Sequence, residues 1–501
     1  MTDATGAHAP ETIVLNDDQQ AAYDSILQWL EARDPDVKRP DGIELKYKKP
    51  QFEMPESAQE WWFDNQDDYY VLKGFAGTGK STLTSKLLVD LSEQGWNMIA
   101  VAPTNKAVGV IQQKVREAAG SRVLACDFKS LHSVCGLRMV ETDDGDHVVS
   151  DTGLASLDQY DLVVVDEASM VDTVMLLKAI QRGRGRCLVL FVGDPAQLKP
   201  IIENSVAKVF RLPQFSMLST ITRQAAGNPL IAASMKIRER NRSDDMTDEA
   251  DDFFAGMQAD DRVQPSDLLE WLPSAMVRGS RNLQGMMIDY QREGIDARII
   301  SYKNSTVLNN NQNAHFELYP ESGRVIFSAG ERVIVQSACK AESLDTGKTV
   351  DLATSEELTI EYVERDKHPD YTNVNVYMLI MKDDLGNSVK VYTPTLMTAF
   401  KNHCSELFTQ VNDINHQLKR GYEQKLADRL KAARGAAWGF KNSFAEIRHT
   451  YSITAHKSQG STFDIVLIDL PDLMTMQSSF EYNSALYVAI TRPRIRAHIA
   501  Y

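Results

Sequence analysis

Cysteine is scarce in this 501-residue chain, which has five: Cys126, Cys135, Cys187, Cys339 and Cys404, scattered with no C-x-x-C pair. That spacing argues against a zinc site or a disulfide framework and fits a reducing compartment, most simply the cytoplasm. Long apolar runs are missing as well. The strongest, 162–165 and 188–192, read as buried strands and fall far short of the roughly 20 residues a bilayer requires, which excludes a membrane-spanning chain. The N-terminal Met1-Thr2-Asp3-Ala4-Thr5-Gly6 has neither a basic start nor an apolar stretch, so no secretory signal is expected. Basic residues are outnumbered, with 54 Lys and Arg against 69 Asp and Glu and a net charge of −15. Taken globally this speaks against a partner as acidic as DNA. The charge is uneven, however: residues 239–262 hold nine acidic residues against three arginines, and residues 419–448 hold eight basic against three acidic. Local charge decides what a groove binds, so nucleic acid stays open.

Apolar residues make up 43% and charged residues 25%, enough for real cores spread over two to four domains. Helical spacing over 15–33 (Ala22, Ile26, Leu27, Leu30), with Asn16 as N-cap, is followed by a charged, proline-bearing stretch at 34–68 that reads as a surface insertion. Strand-like runs at 69–73, 98–102, 161–165 and 187–192 alternate with helical stretches, the pattern of an α/β fold with a parallel sheet. Asp143-Asp144-Gly145-Asp146 lies between the β-forming segments 138–142 and 147–150, a hairpin signature. Residues 331–392 alternate β-formers in the manner of a small all-β module, residues 402–434 are helical and basic, and strands resume near 449.

Gly74-Phe75-Ala76-Gly77-Thr78-Gly79-Lys80-Ser81 fits G-x-x-x-x-G-K-[ST] between a strand and a helical stretch. Gly74, Gly77 and Gly79 let backbone N–H groups, with that of Thr78, turn around phosphate oxygens, Lys80 reaches β and γ oxygens, and the Ser81 hydroxyl suits Mg²⁺. Gly347-Lys348-Thr349 is a decoy, since position 342 is Glu. Asp166-Glu167-Ala168-Ser169 ends one apolar strand and Gly193-Asp194-Pro195-Ala196-Gln197-Leu198 another. Beside a phosphate loop, Asp166 suits the metal opposite Ser81, Glu167 the proton of an attacking water, and Gln197 the γ-phosphate or that water. Standing alone, they would be an acidic helix cap and an Asp-Pro turn.

Several ordered motifs now carry a resemblance. Leu15–Gln19, Gly74–Ser81, Ala102-Pro103-Thr104-Asn105-Lys106-Ala107, Leu131-His132-Ser133, Asp166–Ser169, Gly193–Leu198, Thr222-Arg223-Gln224, the Thr454–Thr462 run and Tyr487-Val488-Ala489-Ile490-Thr491-Arg492 resemble superfamily 1 helicases. Within that superfamily they are similar to the 5′-to-3′ class, nearest the Dda-type helicases of T-even phages and the RecD-like helicases, over about residues 13–495. The resemblance implies two RecA-like domains, ATP with Mg²⁺, and single-stranded and forked DNA as partners. It further implies a monomer working in a bacterial or phage-infected cell beside replication or recombination proteins. Gln19 would read the adenine, and Arg223 and Arg492 would reach the γ-phosphate. Thr104, Asn105, Lys106 and His132, with Thr454, His456, Lys457 and Ser458, would contact the strand, although His132 alone is equally a core or capping histidine.

The expected domains are residues 1–214 (with the 34–68 insertion and a pin hairpin at 137–153), residues 215–330 with 449–501, and an inserted SH3-like module with a basic helical segment at 331–448. The segment 301–311 resembles a further family motif, with Lys303 where Thr is common. The hairpin tip departs from the family, being acidic with no aromatic wedge. Trp438 and Phe440 either line the strand path or belong to a core. Three functions follow: a 5′-to-3′ helicase, a translocase that strips proteins and unwinds weakly, and a non-motor binding subunit.

Overall fold

The computed structural model describes residues 13–32, 68–141, 147–151, 157, 159–172, 175–176, 187–200, 207–221, 228–242, 257, 260, 263–272, 281–323, 325–352, 354–383, 386–420 and 424–501. Residues 34–67, the hairpin tip, Thr222-Arg223-Gln224 and most of the acidic 239–262 run lie outside them. The chain forms two compact units, one of residues 1–137, 151–278 and 458–501, the other of residues 138–150 and 279–457.

In the first unit the helix Asp17–Glu31 starts where the sequence asks. Asn16 Oδ1 accepts the Gln19 N–H (2.8 Å) while Gln19 Oε1 accepts the Asn16 N–H (3.1 Å), a reciprocal capping box. Its buried face of Ala22, Ile26, Trp29 and Leu30 joins Leu72, Leu83, Leu87, Leu88, Leu190 and Val192 in one core. At about 1.5–3 kcal/mol for each fully buried large apolar side chain, this cluster contributes strongly to the unit's stability.

The chain proceeds through β1 (Tyr69–Gly74), β2 (Met98–Ala102) and β3 (Cys126–Ser130), then β4 (Leu137–Glu141) and β5 (His147–Asp151), which among the described residues pair only with each other. Next come β6 (Leu162–Val165), β7 (Leu188–Gly193), β8 (Phe215–Leu218) and β9 (Leu269–Leu272). The expected strands are found within a residue or so of their predicted bounds. Six of them form a sheet in the order β3-β2-β6-β7-β1-β8, with every pairing parallel. Parallel pairing puts all the carboxyl ends on one edge, and β7 lies between β1 and β6. The loops after these three strands are therefore neighbours, at roughly 4.8 Å per strand.

In the second unit, β10 (Ala297–Ser301) pairs in parallel with β18 (Ser452–Thr454). Between them β11 (Arg332–Val335), β12 (Cys339–Ser343), β13 (Thr349–Leu352), β14 (Glu357–Lys367), β15 (Asn375–Lys382), β16 (Ser388–Pro394) and β17 (Ile447–His449) form an antiparallel sheet ordered β13-β12-β16-β15-β14-β11-β17. The all-β reading of 331–392 is thus realised. The basic segment is two helices, Met397–Arg420 and Gln424–Asn442. Phe440 is core: it packs with Phe400, Phe444 and Tyr371. Trp438 meets Phe408 edge-on at 5.2 Å with Lys441 Nζ 5.4 Å above its ring.

Where β11 leaves and β17 returns, a polar knot is buried. Glu331 Oε1 accepts from His315 Nδ1 (2.8 Å) and from the Tyr451 hydroxyl (2.7 Å), and Oε2 accepts the Ser328 N–H (2.6 Å). His315 Nε2 faces the Val325 carbonyl at 2.9 Å. A carbonyl and a carboxylate only accept, so this geometry favours the doubly protonated ring at His315, whose Nε2 also lies 3.3 Å from the Ser322 hydroxyl oxygen. His449 adds its Nε2 at 3.6 Å from the same carboxylate oxygen.

The last strands, β19 (Phe463–Asp469) and β20 (Pro493–Ala500), return to the first unit, where β19, β20 and β9 run parallel. Between β19 and β20 lies the helix Ser479–Ile490, buried from Tyr482 onward and packed on the helix Pro229–Arg242. No described helix is long and apolar enough to cross a membrane. None of the five cysteines forms a disulfide.

Candidate nucleotide site

The loop after β1 needs its glycines for geometric reasons. Gly77 and Gly79 have φ of 81° and 80°, a region that L side chains avoid. At Gly74 the constraint is space: a Cβ there would lie 2.7 Å from Thr78 Oγ1, 3.0 Å from Leu218 Cβ and 3.1 Å from Lys80 Cγ. Gly74→Ala is accordingly expected to displace the loop and weaken nucleotide binding by about 5- to 150-fold, at about 1–3 kcal/mol of overpacking strain. Titration with a fluorescent nucleotide checks this, and an unchanged affinity would show that the loop yields instead.

Lys80 Nζ donates to the carbonyls of Gly74 (2.7 Å) and Phe75 (3.0 Å), so the ammonium stands within the loop. Gln19 Nε2 donates to the Thr78 carbonyl at 3.0 Å, which joins the helix Asp17–Glu31 to the loop. Asp18 accepts the N–H groups of Ser219 (2.7 Å) and Thr220 (2.8 Å). Burial would raise the Asp18 pKa, but these donors outweigh it and leave the carboxyl below its usual range.

Across β7, Asp166 Oδ1 accepts the Glu167 N–H at 2.9 Å. Both carboxyls keep some exposed surface yet sit deep enough for burial to raise their pKa values, Glu167 to about 7. The charge of Asp166 pushes Glu167 further up, and Arg492 and Lys80 pull it back. Glu167 has φ 52° and ψ 44°, a left-handed backbone rarely taken by a residue with a side chain. Gly193, at the end of β7, allows this chain to approach, since a Cβ there would lie 3.0 Å from Ala168 Cβ.

Two residues that carry no assigned role in the sequence reading knit the site together. Gln459 Nε2 donates to Ser169 Oγ and to Gln197 Oε1, each at 3.0 Å. The Tyr487 hydroxyl donates to Asp194 Oδ2 (2.8 Å) and accepts the Ala76 N–H of the phosphate loop (3.1 Å). Both lie inside quoted motifs, but spacing gives no sign of what a Gln or Tyr there touches. Arg492 is buried and donates to the Val488 and Ser461 carbonyls and to Thr491 Oγ1.

The structure thus brings Gln19, the loop Gly74–Ser81, Asp166, Glu167, Gln197 and Arg492 into one unit, while Arg223 lies outside the described residues. Of the expected strand contacts, Thr104 caps the helix Asn105–Ala119 by accepting the Ala107 N–H (3.2 Å), and Asn105 is exposed. Lys106 Nζ lies 6.0 Å over the Phe463 ring. His132 is half-buried, and burial lowers its pKa. Thr454, His456 and Lys457 belong to the second unit and Ser458, fully buried, to the first. Lys457 bonds to Gln336, and burial together with the Arg448 charge brings its pKa down to about 8.

The AAA domain family matches residues 56–256, and the UvrD-like helicase C-terminal domain family matches residues 449–500. Uncharacterized protein R530 of Acanthamoeba polyphaga mimivirus is 24% identical over 86% of this chain and 95% of its own length. The ATP-dependent RecD2 DNA helicase of Deinococcus radiodurans is 32% identical over 33% of this chain, a span of only 21% of that relative. A solved structure concerning DNA unwinding at forked duplexes by two coordinating Pif1 helicases aligns with 97% of this chain and 92% of its own, at 16% identity and a TM-score of 0.46.

Proposed function

Because the chain belongs to the superfamily 1 helicases of the RecD type, we propose that it is an ATP- and Mg²⁺-dependent DNA helicase moving 5′ to 3′ on single-stranded DNA and separating forked duplexes. One observation carries this reading: the phosphate loop, Asp166 with Glu167, and Gln197 stand at the ends of three adjacent parallel strands, with Arg492 close enough to shift Glu167. The donor set fits a hard divalent cation, since Ser81 offers a hydroxyl and Asp166 a carboxylate. When bound, the ion neutralises charge developing on the phosphate oxygens. Lys80 and the loop N–H groups hold the β and γ oxygens, Glu167 takes the proton of the attacking water, Gln197 orients that water, and Arg492 stabilises the transferring group.

Strand grip in this reading falls to Thr104, Asn105, Lys106 and His132 and to Thr454, His456, Lys457 and Ser458, with β4 and β5 as the separating pin. The acidic Asp143–Asp146 tip favours a second reading, a translocase that displaces proteins and unwinds weakly. Strand-separation assays on duplexes with a 5′ or a 3′ tail, with Lys80→Ala as control, decide between them. The expected result is unwinding of the 5′-tailed duplex alone, lost in the control. DNA-stimulated ATPase without separation would select the translocase, and absence of ATPase would leave only a binding subunit.

A further inference from the structure

The helix Pro229–Arg242 carries a cation that the hydrolysis scheme above does not use. The Arg238 guanidinium carbon lies 3.5 Å over the ring of Phe75, the second residue of the phosphate loop. A cation over a ring face is held there without spending its N–H donors. Its Nη1 is nevertheless buried with no hydrogen-bond partner among the described residues, and Arg238 forms no ion pair there. A guanidinium can only donate, so the partner suited to its buried Nη1 is an acceptor, best an anion.

The surroundings narrow that anion down. Phe75 precedes Ala76, whose N–H is held by Tyr487, and the Arg238 charge reaches the Tyr487 hydroxyl. Asp194, the carboxylate next to Tyr487, already accepts from that hydroxyl and from the Ala196 N–H. The helix bearing Arg238 packs on the helix Ser479–Ile490, which leads directly into Arg492. Arg238 therefore stands beside the loop on the side of the helix that leads to Arg492.

We propose that Arg238 senses the terminal phosphate: held over the Phe75 ring, it donates to the γ-phosphate of a nucleoside triphosphate bound in the loop and has no equivalent contact with a diphosphate. This rests on the nucleotide-site reading above. It also supplies a coupling route, since filling the loop would tie the helix Pro229–Arg242 to the bound nucleotide through a charge-assisted bond.

The test titrates a fluorescent non-hydrolysable ATP analogue and its diphosphate counterpart, with Mg²⁺, against the full chain and its Arg238→Ala and Arg238→Lys variants. Arg238→Ala is expected to weaken the triphosphate about 10- to 100-fold, the effect of losing one charge-assisted bond, and to leave the diphosphate within about twofold. Arg238→Lys, which keeps the charge without the planar fork, is expected to recover part of the loss. Should Arg238→Ala fail to fold, a selective triphosphate loss of about threefold or more in the Lys variant supports the proposal equally. Equal losses for both nucleotides would make Arg238 a support of the loop and overturn the proposal, as would no loss at all. A wild-type chain that binds neither nucleotide would overturn the nucleotide-site reading itself.

Discussion

Glu167→Gln is expected to cut ATP turnover by about 10²- to 10⁴-fold, the usual contribution of a positioned base, while nucleotide affinity stays within a few-fold. Glutamine copies the shape and cannot take a proton. The backbone argues for function as well: φ 52° at a side-chain-bearing residue costs on the order of 1–3 kcal/mol, and such strain persists where the surroundings demand it. Here Gly193 lets β7 lie against Ala168, and Gly460 comes within reach of the carboxylate, with Glu167 Oε1 3.6 Å from the position of a Cβ at that glycine. Phosphate release measured with and without single-stranded DNA checks the expectation, and binding of the fluorescent nucleotide shows that the site is intact. Turnover in the Gln variant within tenfold of wild type would remove Glu167 from the chemistry.

His315→Ala is expected to destabilise the second unit by about 3–5 kcal/mol, since it leaves the Glu331 carboxylate buried with its charged partner removed. At about 2–4 °C per kcal/mol for 150–250 residues, the second unit's melting midpoint falls by roughly 6–20 °C. The pH profile provides the sharper test. Burial alone would raise the Glu331 pKa, but hydrogen bonds and charge from His315 and His449 overcome it and hold the carboxyl at about 2, against 4.5 ordinarily. Its contribution is thus complete above pH 4.5 and drains away as the pH falls towards 2.

His315 runs the other way. Burial lowers its pKa, yet the Glu331 hydrogen bond and charge raise it above 6.5 overall. That contribution is complete below pH 6.5 and is lost as the pH climbs through the raised value. Tyr451, Tyr319 and His449 face the same carboxylate, and the Arg298 charge reaches Tyr451. Wild type is expected to be most stable between the two limits, and His315→Ala to lose the alkaline limb. Thermal melts from pH 4 to 9 decide this, and an identical alkaline limb in the variant would show that the imidazolium contributes nothing.

Legibility followed locality. The loop, Asp166 and Gln197 could be found because backbone geometry and strand ends fix small residues and carboxylates at short spacing. The strand β3 was not among the expected ones: Cys-Asp-Phe-Lys-Ser sits at the edge of its sheet, with Asp127 and Lys129 exposed, so its sequence lacks a continuous apolar run. The Glu331 knot joins residues 16, 118 and 120 positions apart, and nothing local in His315 or His449 announces a shared carboxylate. Phe440 could be read either way because an aromatic on a basic helix looks the same in sequence whether it faces a core or a base. The Gln459 and Tyr487 contacts span 262 to 411 positions and escape spacing arguments altogether.

The Gln459 amide offers two hydrogens on one nitrogen, and both are spent, one on Ser169 and one on Gln197. A small drift of Gln459 cannot loosen one grip and keep the other without stranding a buried donor, at about 1–3 kcal/mol. The two bonds are therefore coupled, and a movement that breaks one is expected to break the other. The turn that follows Asp166 and the loop that carries Gln197 are thus held by one amide nitrogen, and the loss of Gln459 is expected to release both at once.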